Sequence, residues 1–305
     1  MITNLTPASA LFLANLGTIE QNLAQANEEV SSGKRINVAS DSPDQLESLL
    51  QLTTDEQKNT QIQSNLTLAK TDAESADSAI NSASQLMDQA VSLATQGANS
   101  TTDAAGRKTI AEQIAAIQQQ MVDLSQTQVQ GRYIFSGDDD SNPTYQLDLG
   151  ATAGYAATTG VDILSAAAST RQIQAPQGST FAASETASQI FDAPGASVFA
   201  ALNGLREALL SNNQGGIQNS ISSLQAANTQ LNNSDSFYGN VENEIDNANS
   251  FASNYDTQLQ TEISDIQDAD IAQASLQLTQ SNTQLQAAFE MEGRMPTTSL
   301  FNYLG

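Results

Sequence analysis

Residues 62–94 read IQSNLTLAKTDAESADSAINSASQLMDQAVSLA, and in them Ile62, Leu66, Ala69, Ala73, Ala76, Ile80, Ala83, Met87, Ala90 and Ala94 recur at alternating steps of four and three. That spacing returns a side chain to one face of an α-helix at each turn, so the stretch reads as one long helix whose apolar stripe needs other helices to cover it. Ala at so many of these positions lets neighbouring backbones approach closely, which suits slim bundles. The same rhythm continues in Ile110, Ile114, Ile117, Met121 and Leu124. It also marks both ends of the chain: Leu5, Ser9, Phe12, Leu16, Ile19, Leu23, Ala26 and Val30 near the start, and Ile271, Ala274, Leu278, Ser281, Leu285 and Ala288 near the finish. Stripes at both termini can pair with each other, with neighbouring copies, or with both. Polar members such as Ser9, Ser281 and Gln284 weaken an isolated pair and favour ends that order on assembly.

Composition narrows the class. Of 305 residues 39% are hydrophobic and only 5% aromatic, with no Trp, so a thick globular core is not expected and helical bundles are. The chain carries 34 acidic against 10 basic residues, and none of the basic ones falls between Arg206 and Arg294. Neutralising phosphates takes a basic stripe, which excludes nucleic acid as a partner, and anionic lipid would be repelled. No segment approaches the roughly 20 apolar residues a membrane span requires. The N-terminus does not read as a secretory signal, because the first basic residue is Lys34 and the apolar run Ala10–Ala14 is short.

The inventory also argues against catalysis. Without Cys or His there are no thiolate ligands and no imidazole to serve as metal ligand or general base. Lys34 abuts Arg35 in a loop, and Lys58, Lys70 and Lys108 read as exposed helix positions, so no Lys base stands out. Asp138-Asp139-Asp140-Ser141-Asn142 resembles the opening of a calcium loop, but Pro143 replaces the required Gly and Leu149 the closing Glu. A solvated turn fits better. Gly150, Gly154 and Gly160 lack the spacing of a phosphate loop. The expectation is no enzyme, no cofactor and no metal.

Local signals divide the chain. A terminal helix stops at Gly33, and Ser31–Asn37 reads as a loop whose Lys34-Arg35 pair could meet acidic surfaces of a neighbouring subunit. Ser42, Pro43 and Gln45 fit the N-cap, first helical position and capping-box partner of the next helix. That helix ends near Gly97, and Ser100–Asp103 offers caps for a third. Between Gly131 and Gly195 the period breaks. Tyr133–Phe135, Thr144–Leu147 and Arg171–Gln174 read as strands, with turns at Asn142-Pro143 and Ala175–Gly178. Helical spacing resumes at Val198 with Ile217, Ile221, Leu224, Asn228 and Leu231, then after a slip Ile245, Ala248, Ala252, Tyr255 and Leu259. No Pro interrupts it before Pro296, so about 90 residues could form nearly continuous helix.

The reading is mainly α: an elongated antiparallel helical bundle with terminal coiled-coil helices and a small β-containing middle domain. Its segments are 1–40 (terminal coiled coil and loop), 41–135 (first half of the bundle), 136–197 (middle domain), 198–268 (second half) and 269–305 (terminal coiled coil). The residues assigned to an assembly interface are Leu5, Phe12, Leu16, Ile19, Leu23, Lys34, Arg35, Ile271, Leu278, Leu285, Phe289, Leu300, Phe301 and Leu304.

Val30-Ser31-Ser32-Gly33-Lys34-Arg35-Ile36-Asn37 with Ala39–Pro43, and Gln85–Ala94 leading to Gln96–Asn99, resemble the bacterial flagellin superfamily. Thr127–Gly137 and the ending Ser299–Leu304 are similar to its hook–filament junction branch. The resemblance implies a structural subunit of the flagellum that self-associates in a ring between the other hook-associated junction protein and flagellin. It implies a cytosolic chaperone on the C-terminal helix and an extracellular location reached by type III export without a cleaved signal. A filament-forming flagellin, or a secreted helical binding module, are the alternatives.

Overall fold

The computed structural model describes residues 7–167 and 169–294. Eight helices occur among them: α1 (Pro7–Ser32), α2 (Pro43–Ala98), α3 (Ala104–Ser125), α4 (Gly154–Thr159), α5 (Ala187–Phe191), α6 (Val198–Leu210), α7 (Gln214–Gln267) and α8 (Ile271–Arg294). Six short strands form three separate antiparallel pairs: β1 (Gln128–Val129) with β2 (Arg132–Tyr133), β3 (Tyr145–Leu147) with β4 (Val161–Ile163), and β5 (Gln172–Gln174) with β6 (Thr180–Ala182). The protein is thus mainly α, as the periodicity implies. It divides into two compact units, one of residues 1–58 with 255–305 and one of residues 59–254. The boundary runs through α2 and α7 rather than through loops.

In the larger unit all ten stripe residues of α2 are buried, as are Ile110, Ile114, Ile117 and Met121 of α3. α2 and α7 run antiparallel: Lys70 reaches Asp246 at 2.6 Å, Asn81 reaches Asp235 at 2.9 Å and Asn228 reaches Asp88 at 3.0 Å. The slip expected in α7 does not occur. Ser220, Leu224, Ala227, Leu231, Ser234, Tyr238, Val241, Ile245, Ala248 and Ala252 are buried in an unbroken four–three rhythm. Small and hydroxyl residues carry the register where large apolar ones are missing, and Asn228 turns aside to Asp88.

Two further expectations yield to local chemistry. The long helix after Val198 is interrupted twice without proline. Asn212 adopts a left-handed φ of 52°, and Asn213 caps the restart by accepting from Gly216 N at 3.0 Å. Asp270 caps α8 in the same way, accepting from Gln273 N at 3.1 Å. At the start of α2 the capping box is not made: the Ser42 hydroxyl bonds Asp44 at 2.8 Å and Gln45 Oε1 accepts from Arg35 at 2.8 Å. Asp103 does cap α3, through Gly106 N at 2.8 Å.

The middle segment holds more order than its glycines suggest. Of the expected strands, β3 and β5 form. Only Tyr133 of its group is in a strand, and Ile134 and Phe135 turn inward to become buried. The β1–β2 turn puts Gln130 and Gly131 at φ 52° and 78°, the pair of positive angles a two-residue hairpin demands. The few aromatics converge here. Phe135 meets Phe191 edge-on at 5.7 Å and Tyr238 at 6.5 Å, while Tyr145 meets Phe199 at 4.8 Å. A continuous core therefore runs from the helices into this segment, contrary to the expectation drawn from average composition. Low aromatic content says nothing about clustering.

Gly137 locks the loop above this cluster. Its φ is +55°, and a Cβ there would lie 2.7 Å from Ala167 Cβ and closer still to the Ser169 carbonyl oxygen. Gly137→Ala is expected to lower stability by about 1–2 kcal/mol, since it adds left-handed strain to a backbone clash. Urea titration followed by tyrosine fluorescence measures it. An unchanged midpoint would show that the loop relaxes freely.

Candidate assembly interface

In the smaller unit α1 and α8 pack against each other along their stripes. The buried residues of the pair are small: Ala26, Ala274, Ser281 and Ala288. Phe12, Leu16, Ile19 and Leu23 on α1, with Leu278 and Leu285 on α8, are half-buried. The structure thus brings these six expected residues into one helix pair within a single chain. The stripes are covered at home, because their small members let the two axes come close enough to compensate for few large side chains. Leu5, Leu300, Phe301 and Leu304 lie outside the described residues.

The loop after α1 fastens the pair. Lys34 and Asp268 form an antiparallel bridge, Arg35 N donates to Gln267 O at 2.7 Å, and Ala269 N donates to Gly33 O at 2.9 Å. The Arg35 guanidinium donates to Ile266 O at 2.7 Å as well as to Gln45. It thereby satisfies a carbonyl at the C-terminus of α7, where the helix dipole favours a cation. Ile36 beside it is buried. Arg35 is engaged inside the chain, a role the charge pattern did not suggest. Asp41 closes the loop by accepting from Asn37 N at 2.9 Å and Val38 N at 2.8 Å.

Apolar side chains remain uncovered on both helices. Ile271 and Phe289 are 45% and 53% exposed, and they share a face of α8 roughly 60° from the paired stripe. Leu276 and Met291 point elsewhere on α8, while Leu11 and Leu13 lie about 100° to either side of the α1 stripe. All four are more than half exposed. The stripe pattern passed over these four because each falls off the four–three rhythm. The signal that could have found them is apolar residues on several sides of one helix, which marks a helix meant to be surrounded. A polar margin of Asn22, Gln273, Gln277, Gln280 and Gln284 accompanies them.

The acidic turn of the middle segment is occupied by internal partners. Asp139 accepts from the Ser165 hydroxyl at 2.5 Å and from Asn142 at 2.8 Å, which holds its carboxyl below the ordinary aspartate value. Asp140 lies 3.7 Å from both Arg132 and Arg171, and those two guanidiniums also pair with Asp72 of α2. The network ties the middle segment to the helices. Among the described residues no group of three or more acidic side chains is gathered as a metal cage. No helix described is long and apolar enough to cross a membrane.

Comparison with known proteins places these features. The family profile of the bacterial flagellin N-terminal helical region matches residues 2–140, and that of the bacterial flagellin C-terminal helical region matches residues 221–304. No curated protein matches the chain in overall sequence. The fold is similar to that of a protein described as a flagellar hook-associated protein from Vibrio parahaemolyticus, with a TM-score of 0.64 at 18% identity over 75% of this chain and 100% of that one. It is also similar to FlgL from Xanthomonas campestris, with a TM-score of 0.59 at 17% identity over 68% of this chain and 98% of that one. At these identities the likeness is one of fold.

Proposed function

The chain belongs to the bacterial flagellin family, and on that footing we propose that it is the junction subunit, hook-associated protein 3, that joins the hook side of the flagellum to the flagellin filament. Family membership makes it a structural component of the flagellum that works by assembling with other flagellar proteins. The finer role is supported first by the uncovered apolar surface of α1 and α8. Two helices that already cover each other's stripe, yet expose Leu11, Leu13, Leu276, Phe289 and Met291, need further chains around them. The junction-like stretch Thr127–Gly137 supports the choice within the family, and one protein of similar fold carries a hook-associated name and another the name FlgL.

In this reading copies associate in a ring, with the second hook-associated junction protein below and flagellin above. The chain leaves the cell through the flagellar export channel without a cleaved signal, and a cytosolic chaperone shields α8 beforehand. A chain without Cys cannot be jammed in such a channel by a crosslink. The role is mechanical, with no catalytic step and no cofactor.

Electron microscopy of a deletion strain tests this. Hooks without filaments, with flagellin shed into the medium, are the expected result. A filament-forming flagellin is the second reading, favoured by the family profiles themselves. Long filaments grown by the purified protein on flagellar seeds would establish it instead, and unimpaired motility of the deletion strain would remove both.

A further inference from the structure

We propose that Asp77 and Asp235, bridged by Asn81, form a proton-sharing clasp that holds α2 to α7 more firmly in mildly acidic than in neutral surroundings. The two carboxyl groups face each other from adjacent helices within the larger unit. Asn81 Nδ2 donates to Asp77 Oδ2 at 3.2 Å and to Asp235 Oδ1 at 2.9 Å. One amide thus holds two carboxylates side by side, and such a pair cannot carry two full charges cheaply. A single shared proton converts the repulsion into a carboxyl–carboxylate hydrogen bond between the helices.

The charges facing the pair sharpen the effect. Glu242 of α7 adds a third negative charge. The nearby cations are already matched: Lys70 of α2 pairs with Asp246 of α7 at 2.6 Å, and Arg132 and Arg171 of the middle segment pair with Asp72 and Asp140. Glu74 of α2 acts on Lys70, and Glu185, before α5, on Tyr238. Partial burial, the hydrogen bond with Asp235 and the charges of Asp235 and Glu242 push the Asp77 carboxyl up to about 6 from the ordinary 3.8, against the opposing pull of Asn81. The buried neighbours Ala76, Ile80, Ser234 and Tyr238 make this a structural contact between the helices.

The sign follows from proton linkage. Between about pH 4 and 6 the folded chain keeps a proton that the unfolded chain has released, so stability falls as pH rises through that window and stays lower above it. Asp44 and Asp139, whose carboxyls are held below the ordinary value, act the opposite way, which makes the contribution separable.

Hydrogen exchange on the full chain, corrected for intrinsic rates, tests the clasp at residues 77–84 and 231–238. In the native sequence the helices are expected to open about tenfold more often at pH 7.5 than at pH 5, a solvent-screened fraction of what the displaced carboxyl would give in full. In Asp77→Asn and in Asp235→Asn that ratio falls toward one, since an amide cannot lose a proton. If one variant fails to fold, the other serves alone. Carbon-detected titration of the Asp77 carboxyl gives an independent answer without mutation. An Asp77 midpoint near 4, or a pH ratio that persists in the Asn variants, overturns the proposal.

Discussion

Phe135→Ala is expected to lower the unfolding free energy by about 3–5 kcal/mol, the largest single-residue effect in the larger unit. The ring is fully buried and makes edge contacts with Phe191 and Tyr238, which belong to α5 and α7. Its carbonyl accepts from Ala187 N at 2.7 Å, and the Tyr238 hydroxyl accepts from Glu185 N at 3.1 Å, so the ring sits where the middle segment is stitched to the helices. Removing it leaves a void bordered by rings that cannot collapse onto one another. Phe135→Leu keeps most of the volume and should cost about 1–1.5 kcal/mol. Guanidinium unfolding of both variants measures the difference. A loss below about 1 kcal/mol for Ala would mean that the aromatic cluster contributes little beyond filling space.

The second large effect is on assembly. The double substitution Leu276→Asp and Phe289→Asp should leave the circular dichroism of the chain unchanged, because both side chains are more than half exposed. It should nonetheless abolish filament attachment when the variant replaces the native chain in a deletion strain. Each buried, unpaired carboxylate costs several kcal/mol, and a ring incurs that cost at every repeated contact. Leu285→Asp is a useful contrast. Leu285 is half-buried in the α1–α8 pair, so its substitution should disturb the isolated chain as well as the assembly. Bare hooks with a normally folded double variant fit the proposed role. Normal filaments would place the assembly surface elsewhere.

Legibility in the sequence varied with the physics at each position. Residues 62–94 declared their buried face without error, because a long stripe of Ala, Ile, Leu and Met leaves no competing period. The start of α2 at Pro43 and the stop of α1 at Gly33 were equally plain. In α7 the same stripe was misread as broken, since Ser220, Ser234 and Ala227 hide a continuous seam from any reading that counts only large apolar residues. The break at Asn212 was missed, and that at Asp270 was marked only by the segment boundary at 268/269, for a related reason: Asn and Asp end helices through side-chain caps and left-handed turns, signals weaker than proline. Of the residues expected at an assembly interface, Phe12 to Leu23 and Leu278 to Leu285 lie in the α1–α8 pair within one chain. The exposed Leu11, Leu13, Leu276 and Met291 were not among those expected.

Period, helix ends and acidic charge are local properties, and the sequence alone determined them: a mainly helical chain, striped at both ends and strongly acidic. Which partner covers each stripe is a question of distance between residues far apart in the chain, and only the tertiary structure decided it. α1 closes on α8 because Ala26, Ala274, Ser281 and Ala288 allow a close approach, Arg35 is drawn to the end of α7, and Asp77 faces Asp235 across two antiparallel helices. A helical pattern specifies which side of each helix is apolar, but the matching of one helix face to another depends on side-chain size and on the register of packing.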